Sequence, residues 1–304
     1  MKSAATTHFP RVIIEKDQKW LYNPVLRKRF KNRPEERVRL RWVEFLLLET
    51  SWKKNRIGFE TPLKVRQQSG KLRADLLLYS NSMKPEILIE CKSDSVPLNT
   101  STAEQAARYN QNLDAPWLIL TNGVTDYAFQ IIDGKPVKSK NPVETGQEQF
   151  ERDWSYWAER GFCSKTATDL IRRRVLPFLN RFWDEEQSGQ IKYLPFEMSY
   201  LPIPMSHYYR IIPADEQKIL AVSVMGHKQS GTFLTAVLND KGDNRGLLII
   251  DLEKTLAGRP EHARIITSHE EKFVDAQTIL DEIFPENVEM DLKNIQEQII
   301  RFFD

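Results

Sequence analysis

The apolar positions of the first 132 residues follow two different periods. A helical spacing begins at Pro34, where proline and two acidic residues suit a first turn, and it predicts a helix over residues 34–52. Nearly continuous apolar runs at 72–79 and 86–91 are typical of strands buried on both faces. Further strands at 59–65, 117–120 and 127–132 and a helix over 101–113 complete the pattern. This order predicts an α/β domain with a mixed sheet flanked by helices.

The second half of the chain has a different pattern. Residues 133–153 are polar and interrupted by glycine and proline, so we predict a domain over 1–135, a linker over 136–153 and a second domain over 154–304. Five strand-like segments between 208 and 267, joined by turn residues, predict an antiparallel sheet, with helices near 166–183 and 290–303. We therefore expect a C-terminal α+β domain, whose predicted role is recognition or assembly.

Composition places the chain among globular proteins and adds an asymmetry of charge. Apolar residues make up 40% and charged residues 28%, no apolar stretch is long enough to span a membrane, and two cysteines provide neither a disulfide framework nor a zinc cluster. We expect a cytoplasmic protein. Residues 1–73 hold 19 Lys and Arg against 7 Asp and Glu. This excess indicates either a polyanion partner or a solvated basic helix face.

The candidate chemistry lies on the two apolar strands. Asp75 and Glu90 stand at the edges of these segments, and Lys92 follows two residues after Glu90, on the same side of the strand. Two carboxylates are the usual protein contribution to a Mg²⁺ site, and a nearby lysine reaches the attacking water or the phosphate. This set predicts hydrolysis of phosphodiester bonds. An acidic residue two positions before lysine occurs at five other places in the chain, so an ordinary strand-end ion pair remains the alternative.

Four blocks in order resemble a known family: 73–75 (RAD), 87–92 (ILIECK), 105–110 (QAARYN) and 120–123 (LTNG). Residues 10–132 resemble the N-terminal nuclease module of type I restriction enzyme R subunits, within the PD-(D/E)XK superfamily. The resemblance implies a restriction-endonuclease-like fold, with Asp75 and Glu90 as metal ligands and Lys92 as the catalytic lysine. It also implies that Gln105 and Tyr109, which share a helix face, position the site or the nucleic acid.

Less direct assignments complete the predicted site. The acid on the first helix of the superfamily corresponds to Glu44, for which a surface glutamate is the alternative, and the backbone carbonyl of Cys91 is a further predicted ligand. We expect Mg²⁺, with Mn²⁺ as a substitute. The candidate contacts to DNA are Arg37, Arg41, Arg73, Gln105 and Tyr109.

The sequence departs from the pattern of the R-subunit family at two places. Ala74 replaces the proline of the superfamily motif, and the chain lacks the G-x-x-x-x-G-K-[ST] loop of an ATP-driven motor. The sequence thus predicts a metal-dependent DNA endonuclease of restriction or phage defence, which acts alone, as a homo-oligomer or with a separate motor or recognition subunit. The alternative is a nuclease-like subunit that binds nucleic acid or protein without cutting.

Overall fold

The computed structural model describes residues 1–16, 18–62, 73–111, 113–146, 150–184, 189–198, 201–227, 231–259, 263–284 and 292–303. The chain separates into two compact units, residues 1–151 and residues 152–304. None of the described helices is both long enough and apolar enough to cross a membrane.

In the part that the structure describes, the first unit contains a small antiparallel sheet, a larger mixed sheet and two α-helices. Its elements in chain order are β1 (Arg11–Glu15), β2 (Gln18–Asn23), β3 (Lys28–Lys31), α1 (Pro34–Glu49), a short 3-10 helix (Lys54–Arg56), β4 (Ile57–Pro62), β5 (Arg73–Tyr79), β6 (Pro85–Cys91), α2 (Thr100–Asn110), β7 (Trp117–Thr121), β8 (Asp126–Ile132) and β9 (Lys135–Ser139). The small sheet has the order β1-β2-β3, and the larger sheet has the order β4-β5-β6-β7-β8-β9. In the larger sheet β6 and β7 are parallel, and the other neighbouring strands are antiparallel.

The larger sheet is covered on both faces. Leu76 and Leu78 of β5 pack in one apolar cluster with Trp42 and other residues of α1, whereas Leu77 packs in a second cluster with Ala106 of α2. Alternation of side chains along a strand requires such a division when a helix lies on each side. The predicted mixed sheet flanked by helices is confirmed.

The segment predicted as a linker needs correction at its start. Lys135–Ser139 forms β9, which pairs antiparallel with β8 at the edge of the larger sheet. Val143 is buried in the same apolar cluster as α1. Glycine and proline at 134, 136 and 142 therefore mark a hairpin and an edge strand, because an edge strand tolerates proline that a central strand does not.

The second unit is built on an antiparallel sheet whose neighbours follow the order of the chain. Its elements are α3 (Trp154–Glu159), α4 (Asp169–Phe182), β10 (Gln190–Met198), β11 (Leu201–Pro213), β12 (Lys218–His227), β13 (Gly231–Asp240), β14 (Asp243–Asp251), α5 (Leu252–Leu256), β15 (Ala263–Thr267), β16 (Glu271–Val274), α6 (Gln277–Ile283) and α7 (Leu292–Ile300). Every strand from β10 to β16 pairs antiparallel with the next. The predicted C-terminal α+β class is confirmed.

Candidate active site

Asp75 and Glu90 lie at the same end of the larger sheet. The antiparallel register of β5 and β6 pairs Leu76 with Ile89, and one further step along that register sets Asp75 opposite Glu90. The backbone N–H of Cys91 donates to Asp75 Oδ2 over 2.8 Å, which ties the aspartate to the neighbouring strand. The two strands thus bring together carboxylates that are 15 residues apart in the sequence.

Lys92 stands directly beyond β6 and contacts the second carboxylate. Its Nζ lies 2.9 Å from Glu90 Oε1. Its backbone N–H donates to the carbonyl of Thr121 over 2.8 Å, so the main chain is still anchored to β7 where the side chain turns to Glu90. The structure therefore brings the three predicted residues together at the end of β6, with Asp75 bonded to the amide of Cys91 and Lys92 in contact with Glu90.

One of the basic residues counted in the excess over residues 1–73 joins this centre. Arg39 of α1 is buried, and its Nη2 lies 2.8 Å from Asp75 Oδ1. Its Nη1 lies 2.6 Å from Glu36 Oε1 and 3.3 Å from Glu60 Oε1. The spacing of Glu36 and Arg39 by three residues on a helix was the signal available in the sequence. Arg39 therefore belongs to the carboxylate centre and not to a surface that meets DNA.

Glu60 belongs to the same network from the other side of Asp75. The register of β4 and β5 pairs Phe59 with Leu76 and Thr61 with Ala74, which sets Glu60 opposite Asp75. Its backbone is in the left-handed region, with φ of 48°, a conformation that costs free energy for a residue other than glycine. Two carboxylates facing each other across a strand pair repel, and the guanidinium of Arg39 contacts both.

Burial and mutual repulsion shift the titration of these carboxyls. Burial, and then the charge of Asp75, raises the pKa of Glu90 to about 7. Burial also raises the pKa of Asp75 and of Glu36, although Arg39 opposes both shifts. The pKa of Lys92 is raised because Glu90 outweighs the effect of burial. Without a further cation, the charged forms of Asp75, Glu90 and Glu36 are therefore disfavoured relative to the same groups in water.

The residues present fit a divalent metal ion. The network has more carboxylates than cations, and its members are Glu36, Glu60, Asp75, Glu90, Arg39 and Lys92. Glu90 Oε2 is buried and has no hydrogen-bond partner among the described residues. In the part of the chain that the structure describes, no three His, Cys, Asp or Glu side chains form a ready-made metal cage. Mg²⁺ usually takes only one or two protein carboxylates and keeps several waters, so two suffice.

The structure favours Glu36 over Glu44 as the acid that the first helix contributes. Glu36 shares Arg39 with Asp75, and their charges affect each other. Glu44 lies two turns, about 12 Å, further along α1, and its Oε1 is 3.8 Å from Nε of Arg11 on β1. The assignment of Glu44 as a metal ligand is corrected accordingly.

Arg41 is not the DNA contact that the sequence predicted. It is buried, and its Nε donates to the carbonyls of Ala5 and His8 over 3.1 Å each, while Nη2 donates to the carbonyl of Thr6. Its guanidinium therefore holds the N-terminal segment against α1. A side chain with its donors directed at buried carbonyls does not reach a phosphate.

The structure describes the side chains of some of the remaining predicted residues and not of others. Arg37 donates to Asn32 Oδ1 over 3.0 Å, and the half-exposed Arg73 lies 3.6 Å from Glu60 Oε2. Gln105 and Tyr109 lie on α2, but their side chains fall outside the described part of the structure. For Cys91 the structure shows the amide bound to Asp75, and its carbonyl as a ligand stays a prediction.

The 120–123 block supports the centre without contributing a charged group. Thr121 Oγ1 accepts from Trp42 Nε1 of α1 and from the backbone N–H of Gly123, each over 3.0 Å. Asn122 Oδ1 accepts the N–H groups of Val124 and Thr125, over 3.1 and 2.9 Å. Gly123 has φ of 76°, which favours glycine. The block fixes the turn after β7, and β7 in turn holds the amide of Lys92.

Residues 34–141 match the family model of the type I restriction enzyme R protein N terminus. The resemblance predicted from the four sequence blocks is confirmed for this segment. The R-protein match covers just over a third of the 304 residues, contains every member of the carboxylate network, and ends before the second unit begins. A comparison with curated proteins finds no match to the chain.

Proposed function

We propose that the chain is a Mg²⁺-dependent endonuclease that hydrolyses phosphodiester bonds of DNA in restriction or phage defence. The observation that carries the proposal is the arrangement of Asp75 opposite Glu90, with Lys92 in contact with Glu90, inside the segment similar to R proteins. In this proposal Asp75 and Glu90 hold the metal, and Glu36, which shares Arg39 with Asp75, is the further acid from α1. The carbonyl of Cys91 remains a candidate ligand, and Mn²⁺ is expected to substitute.

The divalent ion would polarise the scissile phosphate and make a water nucleophilic. The chain's own residues position these reactants. The N–H of Cys91 holds Asp75 Oδ2 and so fixes the aspartate side chain. The contact of Lys92 with Glu90 fixes the second carboxylate and holds the ammonium of Lys92 beside it.

Lys92 acts in this proposal as a cation. Since Glu90 raises its pKa, its ammonium stays protonated at neutral pH. A protonated lysine donates a hydrogen bond to a phosphate oxygen or to the attacking water, and it stabilises the negative charge that develops on the phosphate. A neutral lysine that takes a proton from water would require the opposite shift.

Binding of the DNA backbone would come from residues around the centre. Arg73 is half-exposed beside Glu60, and Arg37 lies near the start of the same helix as Arg39. Gln105 and Tyr109 are candidates from the resemblance. Because arginines bind phosphates by displacing counterions, we expect DNA affinity to fall as the salt concentration rises. A motor or recognition subunit as partner, and self-association, are further parts of the proposal.

The test is cleavage of supercoiled, linear and single-stranded DNA with Mg²⁺ or Mn²⁺, comparing the wild type with Lys92→Ala and Asp75→Asn. We expect each variant to lose roughly 100- to 1000-fold in rate, as when a group that stabilises developing charge is removed. Lys84→Ala is the matched control, because Lys84 is an exposed lysine just before the opposite end of β6. It should cleave like the wild type, and thermal melting should show that all variants fold.

Two results would contradict the proposal in different ways. Cleavage by Lys92→Ala at the wild-type rate would mean that the catalytic centre is misassigned. DNA binding that EDTA does not affect, without cleavage by the wild type in either metal, would favour a nuclease-like subunit that binds without cutting. Cleavage that appears only when a separate ATPase is added would identify the missing partner.

A further inference from the structure

The guanidinium of Arg39 occupies the position of a cation at the carboxylate centre. It is buried, and it lies within 3.3 Å of oxygen atoms on Asp75, Glu36 and Glu60. Two of these carboxylates, those of Glu60 and Asp75, belong to the neighbouring strands β4 and β5. A divalent ion bound by Asp75 would therefore meet a resident positive charge.

Arg39 is held in place independently of Asp75. Nη1 contacts Glu36 at 2.6 Å and Glu60 at 3.3 Å, whereas Nη2 contacts Asp75. The guanidinium also lies over the ring of Phe59, with its carbon 5.3 Å from the ring centroid. Because a guanidinium offers five N–H donors in a rigid fork, loss of one acceptor leaves the other contacts intact.

Asp75 can likewise lose its contact with Arg39 and keep its orientation. Its Oδ2 accepts from the N–H of Cys91, and only Oδ1 contacts Arg39. The aspartate therefore keeps its orientation when Oδ1 changes partner. An exchange of Arg39 for another cation at this oxygen needs no rearrangement of the strand.

We propose that Arg39 is the resident counter-ion of this centre, a positioning residue that competes with the divalent cation for Asp75. It stabilises the carboxylates while no metal is bound, and it raises the metal concentration at which the centre fills. This inference rests on the proposed function, since it requires that Asp75 and Glu90 bind a metal. It assigns to α1 control over when the nuclease becomes competent.

The test measures metal binding without DNA. Titration calorimetry with Mn²⁺ and thermal melting in EDTA would compare the wild type with Arg39→Met, Arg39→Lys and Arg29→Met. Arg39→Met should bind Mn²⁺ at least about tenfold more tightly, because one unit of positive charge near the metal is removed. It should also melt at a lower temperature in EDTA. A mutation that only damaged the site would weaken Mn²⁺ binding instead.

Two variants separate charge from shape. Arg39→Lys retains the positive charge and should bind Mn²⁺ within about threefold of the wild type. Arg29→Met makes the same change on β3, where Arg29 pairs with Glu15, and should leave Mn²⁺ affinity unchanged. If Arg39→Met does not fold, Arg39→Gln, which keeps polar groups for Glu36 and Asp75, provides the same comparison.

The contradicting results are distinct. Mn²⁺ affinity that is unchanged or weaker in the folded Arg39 variants, with a wild type that binds Mn²⁺, would overturn the counter-ion role and leave the nuclease proposal standing. A wild type and variants that all fail to bind Mn²⁺ would overturn both.

Discussion

Two buried arginines show how differently the two units treat the same side chain. Arg39 of the first unit lies among carboxylates, and Arg210 on β11 of the second unit donates to the backbone carbonyls of Phe182, over 2.6 Å, and Asp184, over 3.0 Å. The pKa of Arg210 is lowered to about 10 by burial, whereas Asp75 and Glu36 raise the pKa of Arg39 above its ordinary value in spite of burial.

The two arginines differ because Arg210 binds backbone carbonyls and Arg39 binds carboxylates, and these two kinds of acceptor differ in which other groups can replace the arginine. A carbonyl at the end of a helix needs a hydrogen-bond donor in one direction, so Arg210, which donates to carbonyls at the C-terminal end of α4, is fixed in the structure. A carboxylate carries a full charge and can bind other cations in place of arginine. Burial of a charged group therefore indicates chemistry only where the partners are in excess, as they are around Asp75.

The largest expected effect tests the fixed arginine. Arg210→Met should lower the free energy of unfolding by roughly 3 to 5 kcal/mol, because buried carbonyls lose their donors. No divalent cation should recover that loss, whereas Mn²⁺ should recover much of the stability lost in Arg39→Met. Denaturant unfolding with EDTA or with Mn²⁺ measures both. Equal recovery of the two variants would remove the distinction between them.

The next effect concerns pH. Because the pKa of Glu90 is raised to about 7, the folded protein binds a proton more tightly than the unfolded chain, and the metal-free protein loses stability as the pH rises from about 4.5 to about 7. The contribution is roughly 3 kcal/mol. Glu90→Gln should flatten this dependence, as measured by unfolding in EDTA at several pH values. A slope identical to that of the wild type would contradict the shift.

The smallest effect separates surface arginines from structural ones. Arg73→Ala should lower DNA affinity about two- to fivefold and reduce the slope of log affinity against log salt by about 1. Arg41→Met should lower stability and leave that slope unchanged, since its guanidinium binds carbonyls of the N-terminal segment. Binding titrations at several salt concentrations distinguish the two. A change in the salt dependence of DNA affinity in Arg41→Met would mean that Arg41 contacts DNA.

The sequence predicted the strands of the candidate site because their signal is local. Residues 76–78 and 87–89 are buried on both faces of the sheet, and continuous apolar runs of this kind identify such strands without knowledge of their neighbours. The acidic residues and Lys92 at the edges of these runs then indicated where a site lies. The structure adds their juxtaposition, which follows from the antiparallel register.

The part that the sequence interpretation missed depends on partners far along the chain. Arg39 meets Glu60 and Asp75, which are 21 and 36 residues away, and its three-residue spacing from Glu36 indicates a local ion pair but not these distant partners. Glu44 was assigned from the resemblance alone, and the sequence does not show which turn of α1 faces the strand ends. The edge strands β9 and β16 were missed because exposed, charged strands lack the apolar signal.

The backbone amide of Lys92 is expected to exchange its hydrogen for deuterium slowly. Since that N–H donates to the carbonyl of Thr121, and Thr121 is fully buried and bound to Trp42, the amide exchanges with solvent only when β6 and β7 separate. In the proposed function the side chain of the same residue donates to a phosphate oxygen or to the attacking water. Lys92 should therefore be among the slowly exchanging positions of the first unit although its ammonium serves the proposed site.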